Sequence, residues 1–221
     1  MVVLSLLYAS STLVLLGLLH QFLMCWRGLG LFREGNALRG VPGTYEISSF
    51  RWAINAIANV MWIVYGFSLV DNTTMPVLVI CFPYLLLDAL ILLAILMRPP
   101  RRPALELAAV RFVLLASLSA ALAAAAVSEL LQAHRQILVW LPVIATALMT
   151  ALGRLAQIRI LVRDRKRGKL SLWECLLSMG DASLWFIYGL ALPKWEIWMP
   201  CLIVTVLDLI RWFLFITARK E

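Results

Sequence analysis

The side chains able to do chemistry in this chain come in two matched sets. Trp62, Tyr65 and Gly66 are followed by Cys81 and Asp88; Trp185, Tyr188 and Gly189 are followed by Cys201 and Asp208. The two Trp-x-x-Tyr-Gly groups lie 123 positions apart and the two Cys/Asp pairs 120 apart, so the first copy carries a connection three residues longer. An indole face can stack on a ring, and a carboxylate can bind a cation, a proton or a hydroxyl. Both sets fall in chain apolar enough for lipid. There an ionised side chain costs about 2.5–3.5 kcal/mol on insertion scales, so each needs a partner or a function. A duplicated membrane unit with a polar group at matched depth in each copy points to a solute path between the copies.

Other polar residues cluster around these sets. Asn55 and Asn59, four apart, lead up to Trp62 on about the same helical face and offer both donors and acceptors. Arg211 follows Asp208 by three residues and can neutralise it along one helix. Arg154 and Asp181 are expected to form an ion pair between neighbouring helices, with lining of the solute path as the alternative, and Gln157 shares a face with Arg154. Trp26, Trp140, Trp195, Trp198 and Trp212 read as anchors at the membrane–water interface. His20 reads as a polar neighbour of Gln21. Cys25, Cys81, Cys175 and Cys201 fall within or at the edge of apolar runs without metal-ligand spacing, so neither a disulfide framework nor a metal site is expected, and no cofactor.

The elements that must position these groups are membrane helices. With 63% apolar and 14% charged residues and a mean hydropathy of +0.91, an ordinary soluble domain is excluded. Seven spans are predicted, over roughly 3–26, 50–70, 75–97, 104–128, 136–162, 172–192 and 197–217, leaving no room for a soluble catalytic domain. The net charge of +8 is concentrated after the first, third, fifth and seventh spans: Arg27, Arg33 and Arg39; Arg98, Arg101 and Arg102; Arg159 to Lys169; Arg219 and Lys220. The alternate connections are poor in charge. By the positive-inside rule the N-terminus faces out and the C-terminus faces the cytoplasm, as expected of an integral protein of the plasma membrane. The basic excess therefore signals topology and contact with anionic lipid, not nucleic-acid binding. The first run has no basic flank before it and no small-residue cleavage site, and reads as a retained span.

The repeat extends further. Gln21 and Arg27 have the spacing of Gln157 and Arg163, and Ser48 and Phe50 align with Ser171 and Trp173, so spans 1–3 correspond to spans 5–7. One detail disagrees: Met75-Pro76 and Met199-Pro200 are 124 apart, a register that sets Asp88 against Trp212. The Cys/Asp register is preferred. Each copy has an odd number of spans, so the alanine-rich fourth span restores a common orientation and makes the repeat parallel. The organisation is then residues 1–97, a first three-helix repeat; 98–135, linker and fourth helix; and 136–221, the second repeat. The small-residue fourth helix suits close helix contact and is compatible with a homo-oligomer.

A three-helix unit used twice with a linking helix resembles the SWEET sugar transporters and the wider PQ-loop superfamily. The likeness rests on Trp62-x-x-Tyr65-Gly66, Trp185-x-x-Tyr188-Gly189, Met199-Pro200-Cys201, and Gln21 and Gln157 at the PQ-loop glutamine positions. It implies that Trp62 and Trp185, with Cys81 and Cys201, line a central cavity. The chain departs from the family pattern in having cysteine in place of asparagine in both copies. His20 and Ala156 stand where proline would precede glutamine, and spans 1, 2, 5 and 6 lack their usual prolines except Pro142. The function implied is alternating-access movement of a small polar solute, a sugar or similar, around Trp62, Trp185, Asn55, Asn59, Asp88, Asp208, Cys81 and Cys201. Gln21, Gln157, Arg154, Asp181, Arg211, Tyr65 and Tyr188 would serve gating or structure. Alternatives are a proton-coupled carrier of an amino acid or vitamin, and a non-transporting seven-helix receptor or assembly partner. An enzyme is not expected. With only His20 and His134 there is no His-Glu-x-x-His, and no Gly-x-Ser-x-Gly or phosphate loop is present.

Overall fold

The computed structural model describes residues 49–69, 75–97, 104–150, 154–164 and 172–217, with Ser5, Tyr8, Ala9, Ser11, Thr12, Leu15, Leu16 and Leu19. Every described position between 5 and 19 is helical and is called α1 here. The long helices that follow are α2 (Ser49–Ser68), α3 (Met75–Leu96) and α4 (Ala104–Ala126). Four shorter ones come next: α5 (Ser128–Ala133), α6 (Arg135–Leu138), α7 (Leu141–Met149) and α8 (Leu155–Asp164). The chain ends with α9 (Leu172–Ala191) and α10 (Trp195–Thr217). The described residues contain no strand, as lipid demands: a helix pairs its own backbone, whereas an open sheet edge would leave polar groups in hydrocarbon.

The predicted spans return within a few residues, with one exception. The span expected at 136–162 is divided among α6, α7 and α8. Pro142 sits in the first turn of α7, where it cannot donate to the carbonyl of Leu138 and its ring crowds it, so α6 stops and the helix restarts. Beyond α7, Thr150 and Arg154 have the wider, five-residue turn. Such turns often displace a side chain at a functional position.

Among the described residues α3, α4 and α10 are each long and apolar enough to cross a bilayer. Their exposed side chains are hydrocarbon. α4 turns Leu105, Phe112, Leu115 and Leu122 outward, and α10 turns out Ile203, Val206, Leu209 and Phe213. An all-helical chain that hides its polar groups and exposes leucine and phenylalanine is an integral membrane protein.

α2 is the packing centre of the first unit, lying against α3, α4 and α7, and α10 is that of the second, lying against α9, α7 and α8. Trp52, Ile63 and Tyr65 of α2 pack with Ile91, Leu92 and Ile95 of α3 in the buried core. α3 starts at Met75 and α10 at Trp195, 120 positions apart, the same offset as the Cys/Asp pairs. Asp88 and Asp208 therefore both lie 13 residues into their helices, ~20 Å along the axis at 1.5 Å per residue. The competing Met-Pro register is accounted for by position. Pro76 lies in the first turn of α3, where no donor is needed, whereas Pro200 lies inside α10.

Candidate functional site

The two Trp-x-x-Tyr-Gly groups meet. Trp62 of α2 and Trp185 of α9 approach to 6.1 Å between ring centroids at an interplanar angle of 39°. Within each unit the tryptophan meets its own tyrosine edge-on, Trp62–Tyr65 at 6.0 Å and Trp185–Tyr188 at 5.8 Å. Edge-on rings set the positive rim of one against the negative face of the other, a favoured geometry. Tyr65 also reaches across the seam, and its buried hydroxyl donates to Glu196 Oε1 in the first turn of α10 at 3.1 Å. A carboxylate there is favoured by the helix dipole. The glycines permit the tight hairpins beside this seam. A β-carbon at Gly189 would stand 2.6 Å from the backbone nitrogen of Trp198, and one at Gly66 would stand 2.6 Å from a Leu78 methyl.

The carboxylates lie toward the other end of the helices. Asp88 is 2% exposed, and Asn59 Nδ2 donates to its Oδ2 at 2.8 Å. Asp208 is 0% exposed and is enclosed by three groups. Arg154 Nε donates to Oδ1 at 3.1 Å, Arg211 Nη2 lies 3.1 Å from the same oxygen, and Ser178 Oγ donates to Oδ2 at 2.7 Å. The Ser178 hydroxyl accepts from Arg154 Nη2 at 3.1 Å, which closes the ring. Arg154, expected opposite Asp181, is thus engaged by Asp208 and Ser178. Arg211 is the neutralising neighbour the spacing predicted.

Asp181 is half-buried on α9 and accepts from Ser11 Oγ of α1 at 3.3 Å, while Tyr84 of α3 donates to the Ser11 carbonyl at 3.4 Å. This joins an outer helix of one unit to a helix of the other. Cys81 and Cys201 are buried free thiols, and both lie within electrostatic reach of Asp181. Asn55 is half-buried one turn before Asn59. Trp140 and Trp195 pack edge-on at 5.2 Å and are well exposed, as interface anchors are. Gln21, Trp26 and the side chain of Gln157 lie outside the described residues. No group of three or more His, Cys, Asp or Glu among the described residues has the arrangement of a metal site.

No family model and no curated protein matches the sequence. Among solved structures, the 3.7 Å resolution structure of a eukaryotic SWEET transporter superposes with a TM-score of 0.64, covering 98% of each chain at 13% identity. The chain has a SWEET-like fold. Agreement over nearly the full length of both chains carries the seven-helix arrangement, two parallel three-helix repeats with a linking helix. Within the SWEET-like frame, the residues that the repeat singled out fall on the contact between halves (Trp62, Trp185, Tyr65) and on buried mid-helix positions (Asp88, Asp208, Asn59, Cys81, Cys201).

Four participants escaped the sequence reading: Ser178, Ser11, Tyr84 and Glu196. Ser178 was within reach, because the 123-residue offset that aligns Trp62 with Trp185 also aligns Asn55 with Ser178. Glu196 lies between the predicted sixth and seventh spans, in a connection poor in charge, where nothing in its neighbourhood signals burial. Ser11 and Tyr84 carry no motif, and only the packing of α1 against α9 and α3 gives them a role.

Proposed function

We propose that the chain carries a small polar solute through a membrane by rocking one three-helix unit against the other, around a site between them. The eukaryotic SWEET transporter sharing its fold supports this, but the observation that carries it is internal. The repeated tryptophans touch across the seam at 6.1 Å, and the repeated aspartates are buried behind them in each unit. Matched polar groups at matched depth, capped by a seam of rings rather than by backbone, form a constellation that can part and close. On the orientation set by the basic connections, with the N-terminus outside and the C-terminus cytoplasmic in the plasma membrane, the ring seam closes the outer half of the path. Tyr65 and Glu196 then reinforce that closure. Beside Asp181, deeper in, a β-carbon at Gly180 would find no atom within 4 Å.

Cysteine accessibility is the direct test. In proteoliposomes, a cysteine at position 180 should react with a membrane-impermeant thiol reagent from the C-terminal side, and one at position 62 should be protected from the opposite side. Opening the seam further with Trp185→Ala should expose that outer position. Equal protection of both positions under every condition, together with no uptake of any polyol or amine, would leave a structural membrane protein instead.

A further inference from the structure

An arginine faces outward from the linking helix. Arg111 lies seven residues into α4, a helix apolar enough to span a bilayer, and it is exposed. α4 packs inward through Val110, Ser117, Ala121 and Ala124. Arg111 stands ~100° round the axis from Val110, on a face continued by the exposed Leu115, Leu118 and Leu122. Among the described residues it makes no hydrogen bond, ion pair or ring contact. Glu106, the acidic residue of the first turn, is half-buried, has an interaction of its own and lies ~140° away round the helix. A guanidinium set against hydrocarbon calls for a partner, and the described helices do not supply one.

The geometry of α4 says where that partner lies. Its 23 residues extend ~34 Å and overreach a hydrocarbon layer of ~30 Å. Arg111 is ~10 Å from the start of the helix at 1.5 Å per residue. Side chains on a helix lean toward its N-terminus. In that direction, on the same side of α4, come the methyl groups of the exposed Ala108 and Ala104. The arginine can lie along this smooth surface with its stem among acyl chains and its head at the level of the lipid phosphates. On the orientation set by the basic connections this is the cytoplasmic surface, where anionic lipid gathers, and Arg98, Arg101 and Arg102 precede α4 in the sequence. A planar guanidinium meets a phosphate through two parallel hydrogen bonds.

We propose that Arg111 holds the phosphate of an anionic phospholipid against the inner end of α4, with an acyl chain lying along Leu115 and Leu118. The site does not depend on transport, so its failure leaves the carrier reading untouched.

Phosphatidylglycerol and phosphatidylcholine with the same acyl chains are the matched probes. Both carry the phosphate, and in the second an ammonium group cancels its charge. Titrated into the full-length protein in a neutral detergent and read by native mass spectrometry, phosphatidylglycerol should bind the more tightly. Arg111→Gln should weaken its binding roughly fivefold, the scale of one basic residue at an anionic surface. Arg111→Lys, which keeps the charge and loses the fork, should weaken it less. Arg135→Gln removes another exposed arginine, beyond the far end of α4, and should leave binding unchanged. Position 111 is exposed, so melting without added lipid should match the parent. Three results overturn the proposal: equal binding of the two lipids by the parent, undiminished phosphatidylglycerol binding by Arg111→Gln, or an equal loss in Arg135→Gln. Should Arg111→Gln instead part an oligomer into monomers with lipid binding intact, this face belongs to a second copy of the chain and the lipid site is excluded.

Discussion

In the first unit the mid-helix carboxylate accepts from an amide of the preceding helix, whereas in the second two guanidiniums and a hydroxyl gather around it. Both carboxylates lie at the same depth, and both face the helix that precedes them in the repeat. Backbone geometry has thus been kept between the copies while the side chains that meet the carboxylate differ. Even the partner's place on the preceding helix has moved. In the tryptophan register Ser178 corresponds to Asn55, whereas Asp88 is served by Asn59, one turn further on. The two copies keep a carboxylate at one depth and surround it with different side chains.

The largest effect that can break this comparison is at Asp208. Asp208→Asn takes the carboxylate from between the half-buried Arg154 and the buried Arg211, and removing one partner of a buried charge network costs about 3–5 kcal/mol. In Asp88→Asn the new amide oxygen still accepts from Asn59, so the loss should be nearer that of one weakened hydrogen bond, about 1–2 kcal/mol. Unfolding of the two variants in one detergent measures the difference. Should Asp88→Asn prove as damaging as Asp208→Asn, the two carboxylates carry equal weight in holding their units and the contrast between the copies fails.

A smaller effect separates the two glycines of the repeated motif. At Gly189 a methyl group would press on the backbone of Trp198, which cannot yield without moving the start of α10. Gly189→Ala should therefore cost about 1–3 kcal/mol, as overpacking does. At Gly66 the obstacle is the tip of the Leu78 side chain, which can change rotamer. There the strain is offset by the roughly 0.5–1 kcal/mol that alanine gains over glycine inside a helix. Melting temperatures of the two variants, compared with the parent, decide it. A Gly66→Ala loss matching that of Gly189→Ala would mean that both hairpins are locked equally, and the second unit would lose its distinction as the tighter one.

What could be read beforehand follows the physics of repetition. A copied segment keeps its spacing, so Trp62 with Trp185, Cys81 with Cys201 and Asp88 with Asp208 were visible as pairs, and hydropathy marked the helices that carry them. Partners between helices distant in sequence leave no such trace. Arg154 was expected opposite Asp181 because both are charged and lie in neighbouring spans, yet the guanidinium is engaged by Asp208, where Ser178 completes the ring. The break in the fifth span has a local cause in Pro142, but an apolar run long enough to span hid it. Glu196 carries no local sign of burial, because its partner Tyr65 lies 131 residues earlier in the chain.

The smallest effect concerns the seam itself. Trp62 and Trp185 each make one edge-on contact with a tyrosine of the same unit and share one tilted contact across it. Replacing either by leucine loses an internal contact and the shared one together, so single variants do not report on the seam. A double-mutant cycle does, because the internal losses cancel and the coupling that remains belongs to the pair. For rings at this separation the coupling should be about 0.5–1.5 kcal/mol. The same cycle between Trp62 and Tyr188, which have no shared ring contact in this arrangement, should give a smaller value. A coupling near zero for Trp62 and Trp185 would mean that the rings are neighbours without holding the units together. The seam would then owe its closure to Tyr65 and Glu196, a contact that joins α2 to α10.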